Sequence, residues 1–443
     1  MSESWLWESA AALGRGIGAG EIDPVALTET YLSAIAAHPE SDRIYARVTA
    51  GRARAEAAAA AERARHGTRR GPLDGVPVSW KDLVDSAGVA TEAGSALLKG
   101  RVPAADAPIL ANATRAGLVC LGKTHLSELA FSGLGLNPVT ATPPNVHDAA
   151  RAPGGSSSGA AASIAFGLAA GAIGSDTGGS VRIPAAWAGL VGLKTTPGRL
   201  PLTGIVPLAK RFDTIGPLAR TVEDAALLTA AMEGSAPPDL TGVALAGRSF
   251  LIAEDYLEGA APGILAAFEA ACETLRTAGA TLDRGPVPEI AGALRLAAGA
   301  PITGEAYGLW RDEIERAPDL MFDYIRDRFR LGAKFDAPTY VAEWEELEAL
   351  AAGIDARLAP YDALLGPATA NLPPELERLW ADESHYVTEN LLALRNTRTA
   401  NLLGLASLTV PSATAFAGVM LTGRAGSEAA LLRIGAALAP RVH

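Results

Sequence analysis

The sequence predicts an α/β fold in a single domain spanning residues 1–443, on three observations. Stretches with helical apolar spacing alternate with short apolar runs bounded by Gly and Pro, hydrophobic residues make up 49% of the 443 positions, and neither an internal repeat nor a linker interrupts the chain. Charged residues at 20% belong to an ordered globular chain and not to a disordered tail.

Residues 24–66 give two helices: PVALTETYLSAIAAH carries apolar residues at helical spacing, and ARAEAAAAAERARH is Ala-rich with Arg and Glu interleaved. Gly71, Pro72, Gly75 and Pro77 then break the helix, and Val76, Val78 and Trp80 run into the charged pair Lys81-Asp82, which places Lys81 at the end of a short strand. Residues 105–116 read as helix and Leu118–Leu121 as a compact buried strand, while Gly154–Gly174 reads as a loop leading into a helix of small residues. The uncharged stretch 154–175 is long enough to raise the question of a membrane span, but it holds little Leu or Phe, so a buried helix in a soluble core is expected. Residues 264–279 form an amphipathic helix, and 305–359 a long helical region that ends before the strand-like Asp362–Leu365. The stretch 230–360 is the least constrained.

Charge and cysteine content exclude several classes of function. A net charge of -11, with no cluster of Lys and Arg among aromatics, argues against nucleic acid and anionic lipid as partners. Cys120 and Cys272 read as buried packing, which fits a reducing cytoplasm, and the N-terminus lacks the basic and apolar segments of a signal peptide. No grouping of Cys, His and carboxylates has metal-ligand spacing, so no metal and no cofactor are expected.

Two motifs match in letter only. Gly117-Leu-Val-Cys-Leu-Gly122-Lys123-Thr124 fits the phosphate-cradle pattern, but a helix precedes it and its middle residues read as a strand. Gly155-Ser156-Ser157-Ser158-Gly159 fits the nucleophile elbow of an α/β-hydrolase esterase with Ser157 as nucleophile, but a Pro-rich polar loop stands where that elbow needs a strand.

Covalent hydrolysis needs a nucleophile, a base and donors for the developing oxyanion. Of six histidines, His38, His66 and His443 read as surface positions, and His125, His147 and His385 lack a partnered Ser and Asp pattern. A lysine can serve as base if burial removes its charge, and Lys81, beside Trp80 on an apolar strand, suits that role. Gly174-Ser175-Asp176-Thr177-Gly178-Gly179-Ser180 places a serine after two glycines, a backbone able to aim successive N–H groups at one point.

Three segments carry a resemblance in their order and spacing. GVPVSWKD at 75–82, PGGSSSG at 153–159 and GSDTGGSVRIPA at 174–185 resemble the core motifs of the amidase signature family. The likeness continues through GLVGLKTTPGRLP at 189–201 and FDTIGPLARTVEDAALL at 212–228, and it returns in NLLGLASLTVPS and LTGRAGSEAALLRI. It is strongest over about 70–230 and weakest over about 230–390, the expected substrate-covering region.

The resemblance implies a large mixed β-sheet sandwiched between α-helices. It implies Lys81 as base, Ser156 as proton relay after a cis peptide bond, Ser180 as acylated nucleophile, and the N–H groups of Thr177, Gly178, Gly179 and Ser180 as oxyanion hole. Asp176 and Arg182 match residues that support these loops, and Ala130 and Ser132, within the segment 130–133, match positions beside the acyl group. The implied activity is hydrolysis of a C–N amide, ureido or carbamate bond in a small-molecule substrate by a cytoplasmic enzyme, with a homodimer as the default assembly. The rivals are a glutaminase subunit of a tRNA-dependent amidotransferase, the Ser157 esterase, and a catalytically silent binding protein on the same scaffold. This chain departs from the pattern at Ser158, where Gly is common, at His147, where Trp is frequent, and over Pro411–Gly418, which lacks a glycine-rich loop and predicts a shorter pocket wall.

Overall fold

The computed structural model describes residues 3–442 and is organised around an eleven-stranded mixed sheet. Its strands are β1 (Tyr45–Val48), β2 (Pro77–Lys81), β3 (Val119–Thr124), β4 (Gly171–Asp176), β5 (Val191–Lys194), β6 (Thr214–Ala219), β7 (Ser249–Ala253), β8 (Thr281–Gly285), β9 (Ala363–Pro367), β10 (Ala406–Pro411) and β11 (Gly418–Gly423). They lie in the order β1-β3-β2-β4-β6-β5-β10-β11-β9-β7-β8. The strands β3, β2 and β4 run parallel, as do β9, β7 and β8, while the pairs between these groups are antiparallel. Every residue of β2, β3, β4, β6, β10 and β11 is buried, and because successive side chains point to opposite faces, both faces of the sheet are covered. Helices Ala50–Arg65, Ser158–Ala165, Val222–Glu233 and Glu428–Val442 pack against it.

Four departures from the sequence reading have physical causes. The two N-terminal helices, Pro24–Ala37 and Ala50–Arg65, are separated by a short helix Ser41–Ile44 and by β1, whose four residues are too few to show a period. The small-residue helix ends at Ala165, and Gly171–Asp176 is a strand at the middle of the sheet. Gly and Ala disfavour strands on propensity, so pairing with β2 and β6 on either side decides the conformation there. The long helical region is three helices, Ala300–Arg316, Asp323–Arg330 and Ala337–Leu358, with breaks at Pro318 and before Pro338. Lastly, β3 continues to Thr124, so Gly122, Lys123 and Thr124 lie in a strand behind helix Pro108–Arg115. Lys123 is ion-paired with Asp82 at 3.2 Å, and no phosphate cradle exists in that segment. Both cysteines are buried and unpaired, and no described helix is long and apolar enough to cross a membrane.

Candidate active site

Parallel pairing brings the first groups together. Val78, Ser79 and Trp80 of β2 pair with Gly171, Ala172 and Ile173 of β4, so Lys81 and the pair Ser175-Asp176 emerge at the same, carboxyl edge of the sheet. Lys81 is fully buried and its Nζ lies 2.7 Å from Ser156 Oγ and 2.8 Å from Ser175 Oγ. Burial depresses its pKa to about 7, opposed by the carboxylates of Asp176 and Asp213. A neutral Lys81 has a lone pair, and a hydroxyl at either of these short contacts can donate its proton to it. Ser175 was not singled out by sequence reasoning; its place immediately before Asp176 was the available signal.

Ser156 follows a cis peptide bond from Gly155. Its loop is stitched to the neighbouring wall: Ser127 N–H donates to Ser156 O at 3.1 Å, Gly155 N–H to Gly133 O at 2.8 Å and Gly154 N–H to Leu134 O at 3.1 Å. Glycine is required at 155, because a Cβ there would lie 2.5 Å from Gly135 N. Ser157, the candidate nucleophile of the esterase reading, is fully buried, donates its hydroxyl to Ser175 O at 3.3 Å and follows a coil segment, not a strand.

The Ser180 loop is held by Asp176. Oδ1 accepts from Gly179 N–H at 2.8 Å, Arg182 Nη2 at 2.9 Å and Asn401 Nδ2 at 2.9 Å, while Oδ2 accepts from Val181 N–H at 3.0 Å and Arg182 Nε at 3.1 Å. Burial alone would raise this carboxyl's pKa, but the Arg182 guanidinium outweighs it and holds the group well below the ordinary range. Thr177 Oγ1 donates to Asp213 at 2.6 Å, and Thr397 Oγ1 donates to Gly178 O at 2.8 Å, which pins the loop on its other side. Because Gly179 N–H is committed to Asp176, it is not a free donor. The N–H groups of Thr177, Gly178 and Ser180 make no hydrogen bond among the described residues. No hydrogen bond joins Ser156 and Ser180 Oγ among the described residues, although Ser157 N–H donates to Ser180 O at 3.2 Å and seats the two loops on each other.

Ser180 lines a narrow pocket of about 20 Å³ together with Ala130, Phe131, Ser132, Thr177, Gly178, Leu208, Ile302, Leu394, Arg328 and Arg398. Ala130 stands there with φ 61°, a left-handed conformation that Leu129 before it shares at 46°. The segment 130–133 is less plain than its small residues suggest, since the Phe131 ring carries Arg328 4.4 Å from its centroid. Ser132 faces the pocket, yet its hydroxyl is used up: it donates to Asn390 at 3.3 Å and accepts from Tyr386 OH at 2.7 Å and Leu134 N–H at 3.2 Å. Its contribution is to hold the wall.

Sequence reasoning missed Arg328, Arg398, Tyr386 and Asn390, all in or near the region read as least constrained. None of the described histidines lines this pocket, and His443 lies outside the described residues. His38 is half-buried against Phe166, contrary to its reading as a surface position, while His66 is exposed. The segment Pro411–Gly418 joins β10 to β11, sets Phe416 edge-on against His147, and gives no residue to the pocket. Among the described residues no group of His, Cys, Asp and Glu is placed to hold a metal ion.

Known proteins are similar to this chain in sequence and in fold. The family model described as Amidase matches residues 26–432. A 2-amino-5-chloromuconic acid deaminase from Comamonas testosteroni is 36% identical, over 92% of this chain and 88% of its own. A glutamyl-tRNA(Gln) amidotransferase subunit from Anaeromyxobacter dehalogenans (strain 2CP-C) is 34% identical, over 96% of this chain and 94% of its own. The crystal structure of an amidase superposes with a TM-score of 0.88 at 30% identity, covering 98% of this chain and 100% of that one.

Proposed function

Because the chain belongs to the amidase family of hydrolases acting on C–N bonds, we propose that it is a free-standing amidohydrolase that cleaves the amide bond of a small substrate through an acyl-enzyme on Ser180. The observation that carries this reading is the 2.7 Å contact of the buried Lys81 amine with Ser156, beside a pocket into which Ser180 opens. Neutral Lys81 takes the proton of Ser156 as Ser156 takes that of Ser180, and Ser180 Oγ attacks the carbonyl carbon. The relay needs Ser156 Oγ and Ser180 Oγ within hydrogen-bond reach, a tightening expected on substrate binding. The free N–H groups of Thr177, Gly178 and Ser180 receive the oxyanion, while Gly179 N–H fixes the loop. The proton returns to the leaving nitrogen as the C–N bond breaks, and water then hydrolyses the ester by the same relay.

The pH dependence follows from the base. Only neutral Lys81 accepts a proton, and its pKa is about 7, so kcat/KM is expected to rise tenfold per unit below that pH and to level above it. A stopped assay for ammonia from pH 5 to 9 reads this directly, and a flat or falling profile would count against a lysine base. The same assay on the isolated chain separates this reading from the amidotransferase one. Simple amides should release ammonia with no partner protein present, with the acyl adduct located on the Ser180 peptide by mass spectrometry after quenching. Activity that needs added partner proteins would favour the other reading.

A further inference from the structure

Two guanidinium groups line the Ser180 pocket without a counter-ion. Arg398 is only 5% exposed; its Nη1 donates to Ala297 O at 2.7 Å, and its Nη2 is buried with no partner. Arg328 lies over the Phe131 ring, its Nη1 also buried and unpartnered. Neither makes an ion pair among the described residues, whereas most other buried or half-buried arginines here have a carboxylate, as Arg182 has Asp176 and Arg52 has Asp106. Arginine keeps its charge under burial, and a buried charge without a counter-ion is costly unless a ligand completes it.

Resting on the amidase reading of Ser180, we propose that the preferred substrates are short amides bearing a carboxylate, which Arg328 and Arg398 bind jointly while the amide carbonyl lies at Ser180. The geometry limits the length. A Cβ built on Gly178 would meet Arg398 Nε at 3.7 Å, so the Arg398 side chain packs against Gly178 of the Ser180 loop. Leu208, Ile302 and Leu394 complete the pocket with apolar surface suited to the few carbons between the two ends of such a molecule. Burial lowers Arg328 to about 10 and Arg398 to about 9, the latter also through repulsion from Arg328, and both remain cationic at neutral pH. A second, partly open cavity, lined by Tyr324, Leu331, Val387 and Leu391, shares both arginines. The acids in that cavity do not neutralise them: Asp327 pairs with Arg326 and Arg330, and Glu383 is exposed.

The experiment compares malonamate, succinamate, glutaramate and adipamate, each with the neutral amide in which methyl replaces the carboxylate. At least one acid should exceed its neutral partner about 100-fold in kcat/KM, and Arg398→Gln and Arg328→Gln should each cut that ratio by about 30-fold or more, with Arg328→Lys retaining part of it. Both glutamine variants remove an unpaired buried charge, so their melting temperatures should hold or rise, which separates recognition from misfolding. Calorimetric titration of Ser180→Ala with the same compounds reads binding alone. The acid should bind at least tenfold tighter than its neutral partner, and addition of Arg398→Gln should abolish the difference. Equal affinities in that titration, or a ratio unmoved by both glutamine variants, would overturn the proposal. If wild type hydrolysed no amide of either kind, the amidase reading would fail while the titration still decided the carboxylate question.

Discussion

Ser180→Ala is expected to lower kcat by roughly 10⁴- to 10⁶-fold, the loss seen when a covalent nucleophile is removed from a hydrolase. The residual rate would come from the proposed oxyanion donors, which belong to the backbone and survive the change. Three neighbouring serines in the motif region, Ser156, Ser157 and Ser158, are each fully buried, while Ser180 lines the pocket. Ser157→Ala should therefore lower kcat by much less, since its hydroxyl only caps the Ser175 carbonyl at 3.3 Å. Single-turnover kinetics on both variants decide the matter. The reverse order would revive the esterase reading, and equal small effects would remove Ser180 from the chemistry.

Lys81→Met should bring kcat down by roughly 10⁴-fold, the upper end of what a positioned acid–base group contributes. Methionine has a similar length and no lone pair able to take a proton at this pH. The change also strips a partner from the hydroxyls of Ser156 and Ser175, which costs about 1–3 kcal/mol, while it spares the fold a buried amine. Net stability should therefore change little against the loss of turnover, and denaturant unfolding run beside the kinetics separates the two. What activity remains should have lost its rise with pH, since the group that titrates near 7 is gone. A variant that unfolds as readily as it loses turnover would instead make Lys81 a structural residue.

Much of this site was legible in the chain because its parts stand in three compact motifs. Lys81 at the end of an apolar strand, and Ser156 and Ser180 each after a glycine pair, carry local patterns, and their joint occurrence was the signal. Gly179 shows the limit of that reading. Its N–H donates to Asp176 at 2.8 Å, and nothing in the letters tells which amides of a glycine turn are free. Ser132 is similar, a hydroxyl fit for substrate until Tyr386 and Asn390 arrive from a helix more than 250 positions later. Arg328 and Arg398 lie on two separate helices, and their shared property, the lack of a carboxylate, exists only in three dimensions. The fold was legible where period and length allowed. It failed at Gly171–Asp176, where small residues are paired on both sides, and at Tyr45–Val48, which is too short.

Lys81, the proposed base, and its hydroxyl partner Ser175 sit on adjacent, hydrogen-bonded strands of the sheet interior and not on a mobile lid. Amides in such central strands exchange with solvent only when the whole molecule opens. Warming the protein should thus give no regime in which catalytic competence fades while the bulk stays intact: the durability of the enzyme and that of its scaffold are one quantity, and a gain made in any remote part of the core is inherited by the working end.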